Sequence, residues 1–276
     1  MTGPARLEAL DLAAGYDDRR ILDGVTLKLL PGRITSIVGG NASGKSTLLR
    51  TLARVLSPMG GQALLDGRSI HAMRSREVAR SLGLLAQSPD APEGITVADL
   101  VARGRHPHHG LFSSWTARDR RIVENALAMT GMADLAAREI DTLSGGQRQR
   151  AWIAMALAQE TDLLLLDEPT TFLDVAHQID VLDLLVDLNR TRGTTIVMVL
   201  HDLNLAARYS DRLVAIAGGG IHAEGDPAEI LTERNVRAVF GLAARIVTDP
   251  VSGCPSMIPI GRHHCSSVEK VTGKES

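Results

Sequence analysis

The fold of this 276-residue chain is decided by the stretch Gly39-Gly40-Asn41-Ala42-Ser43-Gly44-Lys45-Ser46-Thr47. It matches the pattern G-x-x-x-x-G-K-[ST], in which the backbone N–H groups of a glycine-rich loop surround phosphate. The apolar and β-branched residues 33–38 come before it and predict a buried strand, and residues 46–52 follow with helical spacing. Because turn N–H groups and a helix dipole both attract anions, this order of elements predicts a phosphate site.

The side chains of the loop indicate which phosphate compound binds. Gly39 and Gly44 permit a close approach of the backbone, and Lys45 is placed to reach the β- and γ-phosphates of a nucleotide. The Ser46 hydroxyl is the expected ligand of Mg²⁺. A glycine-rich turn with a chance lysine is the competing interpretation, but it leaves the flanking strand and helix unexplained. We therefore expect a nucleoside triphosphate bound together with Mg²⁺.

Composition restricts the class of protein further. Hydrophobic residues make up 44% and charged residues 22%, and the length suits one large α/β domain or one domain with a subdomain. Aromatic residues are only 3% and the formal net charge is -2, which argues against a nucleic-acid binder. No apolar run approaches the roughly 20 residues that span a bilayer, and residues 1–6 lack a signal core. We expect a cytoplasmic protein in which Cys254 and Cys265 are free thiols.

Polar residues stand at the ends of three apolar runs. These runs predict core strands over residues 82–86, 163–166 and 194–200, which end at Gln87, Asp167-Glu168 and His201. An Asp at the end of such a strand in a phosphate-loop fold holds Mg²⁺, and Glu168 is then placed to orient or deprotonate a water. Taken alone, Gln87 is better explained as a strand cap. Together with the phosphate loop, these residues predict one site at one edge of a sheet.

Two half-buried antiparallel strands are predicted near the N-terminus, because residues 7–14 and 25–29 alternate between apolar and polar. Tyr16 lies between them, on a turn predicted over residues 15–18. From the residues alone, two explanations of this tyrosine are equally good: it stacks on a nucleotide base, or it covers a small hydrophobic cluster.

From Ser88 to Glu160 the strand signals vanish and helical patterns replace them, which predicts a helical subdomain inserted into the α/β core. Thr116 and Asp119 predict a capping box within it, and Gly131 is the expected helix stop. After the last strands, the stretch Asp226-Pro227-Ala228-Glu229 predicts another capping box, with proline at the first position of a short helix.

The insertion ends at Ser144, Gly145, Gly146 and Gln147, where Ser144 is the expected N-cap of a helix that reaches about Gln159. The glycine pair leaves backbone N–H groups open, so this helix start predicts a second anion site. An ordinary serine-capped helix is the alternative, but two adjacent glycines cost helix stability and require a reason.

Two histidine-rich segments raise the question of a metal site. His106, His108 and His109 surround a proline, and a solvated or partner-contacting loop explains them better than zinc because regular ligand spacing is lacking. The stretch His263-His264-Cys265 could bind a metal, although an unstructured tail is the favoured interpretation.

With these residues placed, the chain resembles the ATP-binding subunits of ABC transporters over about residues 5–260. The signature Leu143-Ser144-Gly145-Gly146-Gln147 is the most specific element, because other phosphate-loop families lack it. Gly40 and Ala42 depart from the proline and glycine that are commoner in this loop. The resemblance implies an α/β fold: a P-loop NTPase core with an N-terminal antiparallel β subdomain and an inserted helical subdomain. We expect the ATP-binding domain over residues 5–245, its helical subdomain over about 88–160, and a C-terminal extension over 246–276.

The resemblance also implies a role for each motif. Residues 39–47 form the Walker A loop and residues 163–167 the Walker B strand. Catalysis is expected from Glu168, His201 as the switch histidine, and Lys45. The nucleotide is expected to contact Tyr16, which would stack on adenine, together with Gly39, Gly40, Asn41, Ala42, Ser43, Gly44, Lys45, Ser46, Thr47, Gln87 and Asp167. Mg²⁺ is expected at Ser46, Gln87 and Asp167. The signature residues Ser144, Gly145, Gly146 and Gln147 are expected to contact ATP across a dimer, and Asp174 belongs to the D-loop.

A narrower resemblance concerns the transported compound. Residues 101–108 look like importers of iron chelates, haem and vitamin B12, and residues 141–155, 159–161 and 170–174 are most similar to the ferric-siderophore branch. The implied assembly is a head-to-tail homodimer at the cytoplasmic face of the inner membrane. Two permease subunits and, through them, an extracytoplasmic siderophore-binding protein are the implied partners, and no nucleic acid is implied.

Three alternatives stay open at this point. The first is a haem or vitamin B12 importer ATPase. The second is a soluble ABC protein of DNA repair or translation, although such proteins commonly carry long coiled coils or two cassettes. The third is a non-catalytic scaffold that only binds nucleotide, against which Glu168 and His201 argue.

Overall fold

A computed structural model describes residues 5–87, 91–110 and 114–263 of the chain. Its central element is a six-stranded sheet in the order β10-β9-β3-β8-β7-β6. These strands are β3 (Ile34–Gly39), β6 (Leu82–Leu85), β7 (Leu163–Asp167), β8 (Thr195–Val199), β9 (Arg212–Ala217) and β10 (Gly220–Gly225). All neighbours pair in parallel except β9 and β10, which form a hairpin. Because β7 lies between β6 and β8, the residues that follow these three strands come together at one edge.

The N-terminal part forms a second sheet, which is antiparallel and ordered β2-β1-β4-β5. Its strands are β1 (Leu7–Tyr16), β2 (Arg19–Leu29), β4 (Gly60–Leu65) and β5 (Arg68–Ser69). Helix α1 (Lys45–Leu52) follows β3, and its leucines join a hydrophobic cluster with residues of both sheets. The two predicted N-terminal strands are confirmed. The prediction that Tyr16 lies on a turn is wrong, because β1 continues through this residue, which pairs with Arg19.

The inserted helical subdomain is confirmed. Its helices α3 (Val97–Arg103), α4 (Ala117–Met129) and α5 (Gly145–Ala158) pack on one another, while α2 (Ser75–Ser81) precedes β6 in the core. The predicted capping box joins Thr116 and Asp119, and Gly131 adopts a φ of 64° after the end of α4. Sequence reasoning did not predict the burial of Arg105. This residue is only 3% exposed, and its Nε pairs with Asp119 Oδ1 at 3.0 Å.

The remaining elements complete the core and the C-terminal region. They are α6 (Val175–Arg192), α7 (Leu203–Tyr209), α8 (Pro227–Ile230), α9 (Glu233–Phe240), β11 (Ala244–Thr248) and β12 (Pro255–Pro259). Strand β11 crosses residue 245, where the domain boundary was expected. Its partner β12 is attached to α7 because the Asn204 amide exchanges two hydrogen bonds with the backbone of Met257, of 3.2 and 2.6 Å. Within the described ranges, no helix combines the length and apolar character needed to cross a membrane.

The capping box predicted at residues 226–229 is wrong. Asp226 is the N-cap and Pro227 the first helical residue, as expected, but the Asp226 side chain makes no capping hydrogen bond. The backbone N–H of Glu229 donates instead to the Asp226 carbonyl, at 2.9 Å. This short helix therefore starts with a backbone contact and without a side-chain cap.

Candidate active site

The phosphate loop has the backbone that its glycines predict. Gly44 has a φ of 104°, and a Cβ on Gly39 would lie 2.5 Å from the carbonyl oxygen of Ile216. Both positions therefore exclude a side chain. No side chain caps α1 at its N-terminus, so the N–H groups of the loop and of the first helical turn are available to an anion.

Lys45 lies beneath this loop. Its Nζ donates to the carbonyl oxygens of Gly39 and Gly40, at 3.0 and 2.8 Å, and only 5% of the residue is exposed. Burial lowers the pKa of Lys45, whereas the nearby carboxylates of Glu168 and Asp167 act in the opposite direction. The Lys45 ammonium is thus held by hydrogen bonds to the same loop that is expected to bind the phosphates.

Ser46 and Asp167 are brought together in a manner that fits Mg²⁺. The Ser46 hydroxyl donates to Asp167 Oδ1 at 2.8 Å. The buried Oδ2 has no hydrogen-bond partner, and the nearest cation is Arg50 Nε at 3.7 Å. Burial raises the pKa of Asp167, and Ser46 and Arg50 oppose that shift. A hydroxyl next to an unsatisfied carboxylate oxygen is a donor set that Mg²⁺ prefers.

Glu168 is where the three core strands meet. It follows β7, and its carboxylate is bound from both neighbouring strands, because Gln87 Nε2 donates to Oε2 at 2.8 Å and His201 Nε2 lies 2.6 Å from Oε1. Thr171, which sequence reasoning missed, also donates to Oε2, at 3.0 Å. The sequence signal for this contact was the position of Thr171, three residues after the glutamate that follows β7. The amide nitrogen of Gln87 is thus directed to Glu168, while its expected role at Mg²⁺ stays a prediction.

An open cleft of about 900 Å³ lies beside these groups. The phosphate loop, Gln87, Glu168 and His201 line it. Further lining residues, which the sequence did not single out as site residues, include Arg19, Arg20, Ala238 and Val239. The two arginines follow the β1–β2 turn, so their closeness to Tyr16 was a usable signal. Nothing in the sequence placed α9 here. Tyr16 is 39% exposed, and its hydroxyl accepts a hydrogen bond from Arg50 at 3.2 Å.

The signature segment forms a reciprocal capping box at the start of α5. Ser144 Oγ accepts from the N–H of Gln147 at 3.3 Å, and Gln147 Oε1 accepts from the N–H of Ser144 at 3.1 Å. Ser144 and Gly145 are exposed, and this segment is separate from the residues that line the cleft of the same chain. Gly146 also has a packing reason, because a Cβ at this position would lie 3.1 Å from Leu173 Cδ2.

Asp174 and the histidine-rich loop have local partners. Asp174 caps α6 by accepting from the N–H of His177 at 2.9 Å, and hydrogen bonds from His177 lower its pKa. His108 Nε2 contacts the carbonyl oxygen of Gln159 at 2.8 Å, and His109 stacks on Trp115. Across the described part of the chain, no three His, Cys, Asp or Glu side chains are grouped to hold a metal. His264 and Cys265 lie outside the described residues.

A phosphate loop, a buried Asp-Glu pair and a capped glycine signature define a P-loop ATPase of the cassette type. In agreement, residues 22–171 match the family model described as ABC transporter, and the chain belongs to this family. The resemblance inferred from the motifs and the predicted fold class are both confirmed. The chain is an ATP-binding ATPase subunit.

Individual relatives narrow this class. The chain is 52% identical to the petrobactin import ATP-binding protein of Bacillus anthracis, over 93% of this chain and 94% of the relative. It is 51% identical to the ferric enterobactin transport ATP-binding protein of Escherichia coli, over 94% and 95%. Among solved structures, it is similar to an ABC transporter described as metal-chelate type, in an inward-facing conformation, with 30% identity and a TM-score of 0.80, over 94% of this chain and 98% of that one.

Proposed function

We propose that this chain powers the import of a ferric siderophore across the cytoplasmic membrane. The observation that carries the proposal is identity of about half, along almost the whole chain, to import subunits named for petrobactin and for ferric enterobactin. Two different cargo names at nearly equal identity indicate that the ATPase subunit does not itself select the siderophore. Selection then resides in the permease and in the extracytoplasmic binding protein.

The site supports hydrolysis of ATP by an activated water. Glu168 accepts the proton of the attacking water, and Gln87, Thr171 and His201 orient its carboxylate. Lys45 stabilises the charge that develops on the phosphate oxygens, and His201 is placed to contact the γ-phosphate once ATP fills the cleft. Ser46 and Asp167, with Gln87 nearby, would hold Mg²⁺, which when bound neutralises phosphate charge.

Two copies of the chain would complete each site by pairing head to tail. The exposed start of α5 offers N–H groups to an anion, yet the nucleotide cleft of the same chain lies elsewhere. In a head-to-tail homodimer, Ser144, Gly145 and Gly146 of one copy would face the γ-phosphate held by the other. ATP then binds the closed dimer better than the open one, so that hydrolysis reopens it.

Two membrane permeases would receive this motion on the cytoplasmic face of the inner membrane, where the chain is a peripheral subunit. Gln87 supports this route. It lies just after β6 and contacts Glu168, and the chain continues from Gln87 into the helical subdomain. The fold similarity to a metal-chelate type transporter is consistent with it.

Replacing Gln87 by alanine should impair transport more than nucleotide binding. The change removes one of two donors to Glu168 Oε2 and leaves the phosphate loop untouched. Uptake into vesicles reconstituted with the permeases, and the Kd for ATP, would be measured on the same preparation. Gln62→Ala, at an exposed position of β4, serves as the control. Normal uptake by the Gln87 variant would remove this residue from the mechanism.

Deleting the gene should abolish growth on ferric siderophores under iron limitation, while growth on excess simple iron salts continues. Growth that depends on vitamin B12 or haem should be unaffected. Uptake of labelled ferric siderophore gives the direct measurement, in a strain without a second ATPase that could substitute. If siderophore uptake persists there and B12 or haem uptake fails instead, the ATPase assignment stands and the siderophore assignment does not.

A further inference from the structure

The backbone of Glu168 needs support from its surroundings. Glu168 has a φ of 56°, in the left-handed region that residues other than glycine rarely occupy. The residue is 7% exposed and opens a tight turn, in which the N–H of Thr171 donates to the Glu168 carbonyl at 3.2 Å. Because this backbone conformation aims the carboxylate, contacts that hold the turn also hold the catalytic group.

One such contact comes from the helical subdomain. Gln149 lies on α5, five residues after Ser144, and is 6% exposed. Its Nε2 donates to the carbonyl oxygen of Pro169, at 3.1 Å. Pro169 directly follows Glu168, so the bond reaches from α5 to the second residue of the turn that Glu168 opens.

Packing strengthens the same connection. A Cβ on Gly145 would lie 3.6 Å from the Cβ of Phe172, and one on Gly146 would lie 3.1 Å from Leu173 Cδ2. The first turns of α5 therefore rest on residues 169–173. A buried amide bonded to a backbone carbonyl adds a directional contact to this packing, since leaving either group unpaired would be costly.

We propose that Gln149 is a positioning residue, which transmits the placement of α5 to the backbone of Glu168. The inference rests on the proposed function, in which the start of α5 binds the γ-phosphate held by the partner copy. When that contact draws α5 into place, the Gln149 amide sets the turn that aims Glu168 at the water in its own cleft. ATP bound in the cleft of one copy thereby promotes hydrolysis of the ATP bound in the cleft of the other copy.

A positioning role for Gln149 predicts different effects on the KM for ATP and on kcat. Gln149 is not a lining residue of the nucleotide cleft, so its loss should leave the KM for ATP nearly unchanged. Its loss should lower kcat about 10- to 100-fold, as expected when a catalytic group is misplaced by about 1 Å. Gln149→Met removes the donor and keeps the length of the side chain.

The test compares Gln149→Met with Asn189→Leu in the full-length chain. Asn189 also donates from its amide to backbone carbonyls, those of Gly32 and Thr194, but at the opposite end of the core strands. We expect a fall in kcat for Gln149→Met alone. An equal fall in both variants would mean a general loss of stability and would overturn the inference, as would an unchanged kcat for Gln149→Met. Wild-type protein without ATPase activity would instead refute the proposed function.

Two further measurements separate positioning from folding and from dimerisation. Added to Glu168→Gln, Gln149→Met should leave the yield of ATP-bound dimer unchanged, and loss of that dimer would overturn the inference.

Should the Met variant fold poorly, the kcat of Gln149→Glu is compared with that of wild type across a range of pH. Its relative kcat should recover as the pH falls, because only the protonated carboxyl can donate to Pro169. A flat ratio would contradict the proposal.

Discussion

Replacing Glu168 by glutamine is expected to abolish ATP turnover while ATP binding is retained. The Glu168 carboxylate is bonded to Gln87, Thr171 and His201. The Lys45 ammonium donates instead to the carbonyl oxygens of Gly39 and Gly40, so the phosphate loop keeps its hydrogen bonds when Glu168 is replaced. An amide of the same size cannot accept the proton of the attacking water. The expected fall in kcat is about 100- to 10,000-fold, the usual contribution of a positioned general base.

Phosphate release at saturating ATP gives kcat, and a fluorescent nucleotide gives the affinity. Because hydrolysis is proposed to open the dimer, the ATP-bound dimer of Glu168→Gln should also accumulate, which light scattering detects. Glu124→Gln makes the same charge change at an exposed position of α4 and should hydrolyse ATP at the wild-type rate. A Glu168→Gln variant that turns over ATP nearly as fast as wild type would show that another residue is the base.

Replacing Ser144 by arginine is expected to prevent formation of the ATP-bound dimer. The substitution removes the reciprocal cap with Gln147, which costs about 1 kcal/mol of helix stability. It also places a bulky side chain on the exposed helix start that is proposed to face the partner copy. Since Lys45 and its loop are untouched, ATP binding to the isolated monomer should stay nearly intact.

Light scattering with ATP, in the Glu168→Gln background, measures this effect. Thr116→Arg is the matched control, because Thr116 forms the other capping box of the helical subdomain, at the start of α4. It should lose comparable helix stability and still allow the dimer to form. An unchanged dimer yield for Ser144→Arg would refute the head-to-tail arrangement.

Local sequence patterns predicted most of the helices and strands. The structure differs from the predictions where a residue's environment depends on partners far away in the sequence. Strand β7, which begins with four leucines, and the capped helices α4 and α5 follow from residues within a few positions of each other. The burial of Arg105 could not be predicted in this way, because its partners Asp119 and the Ala158 carbonyl are 14 and 53 residues away. An arginine is mostly exposed unless such partners satisfy its charge and donors.

The sequence by itself determined the chemical groups of the site and the order of the elements that bear them. A phosphate loop, a strand that ends in Asp167-Glu168 and a serine-capped glycine pair are each readable within about ten residues, because turn geometry, capping and strand burial are short-range effects.

Only the tertiary structure decided which of these groups touch. Gln87 and Glu168 are 81 residues apart, and they meet because β6 pairs beside β7 in the sheet. Gln149 reaches Pro169 because α5 packs onto the turn after β7, and α9 reaches the nucleotide cleft because the C-terminal region folds back over the core. Strand order and helix packing are set by the burial of apolar surface across the whole domain, which no local spacing encodes.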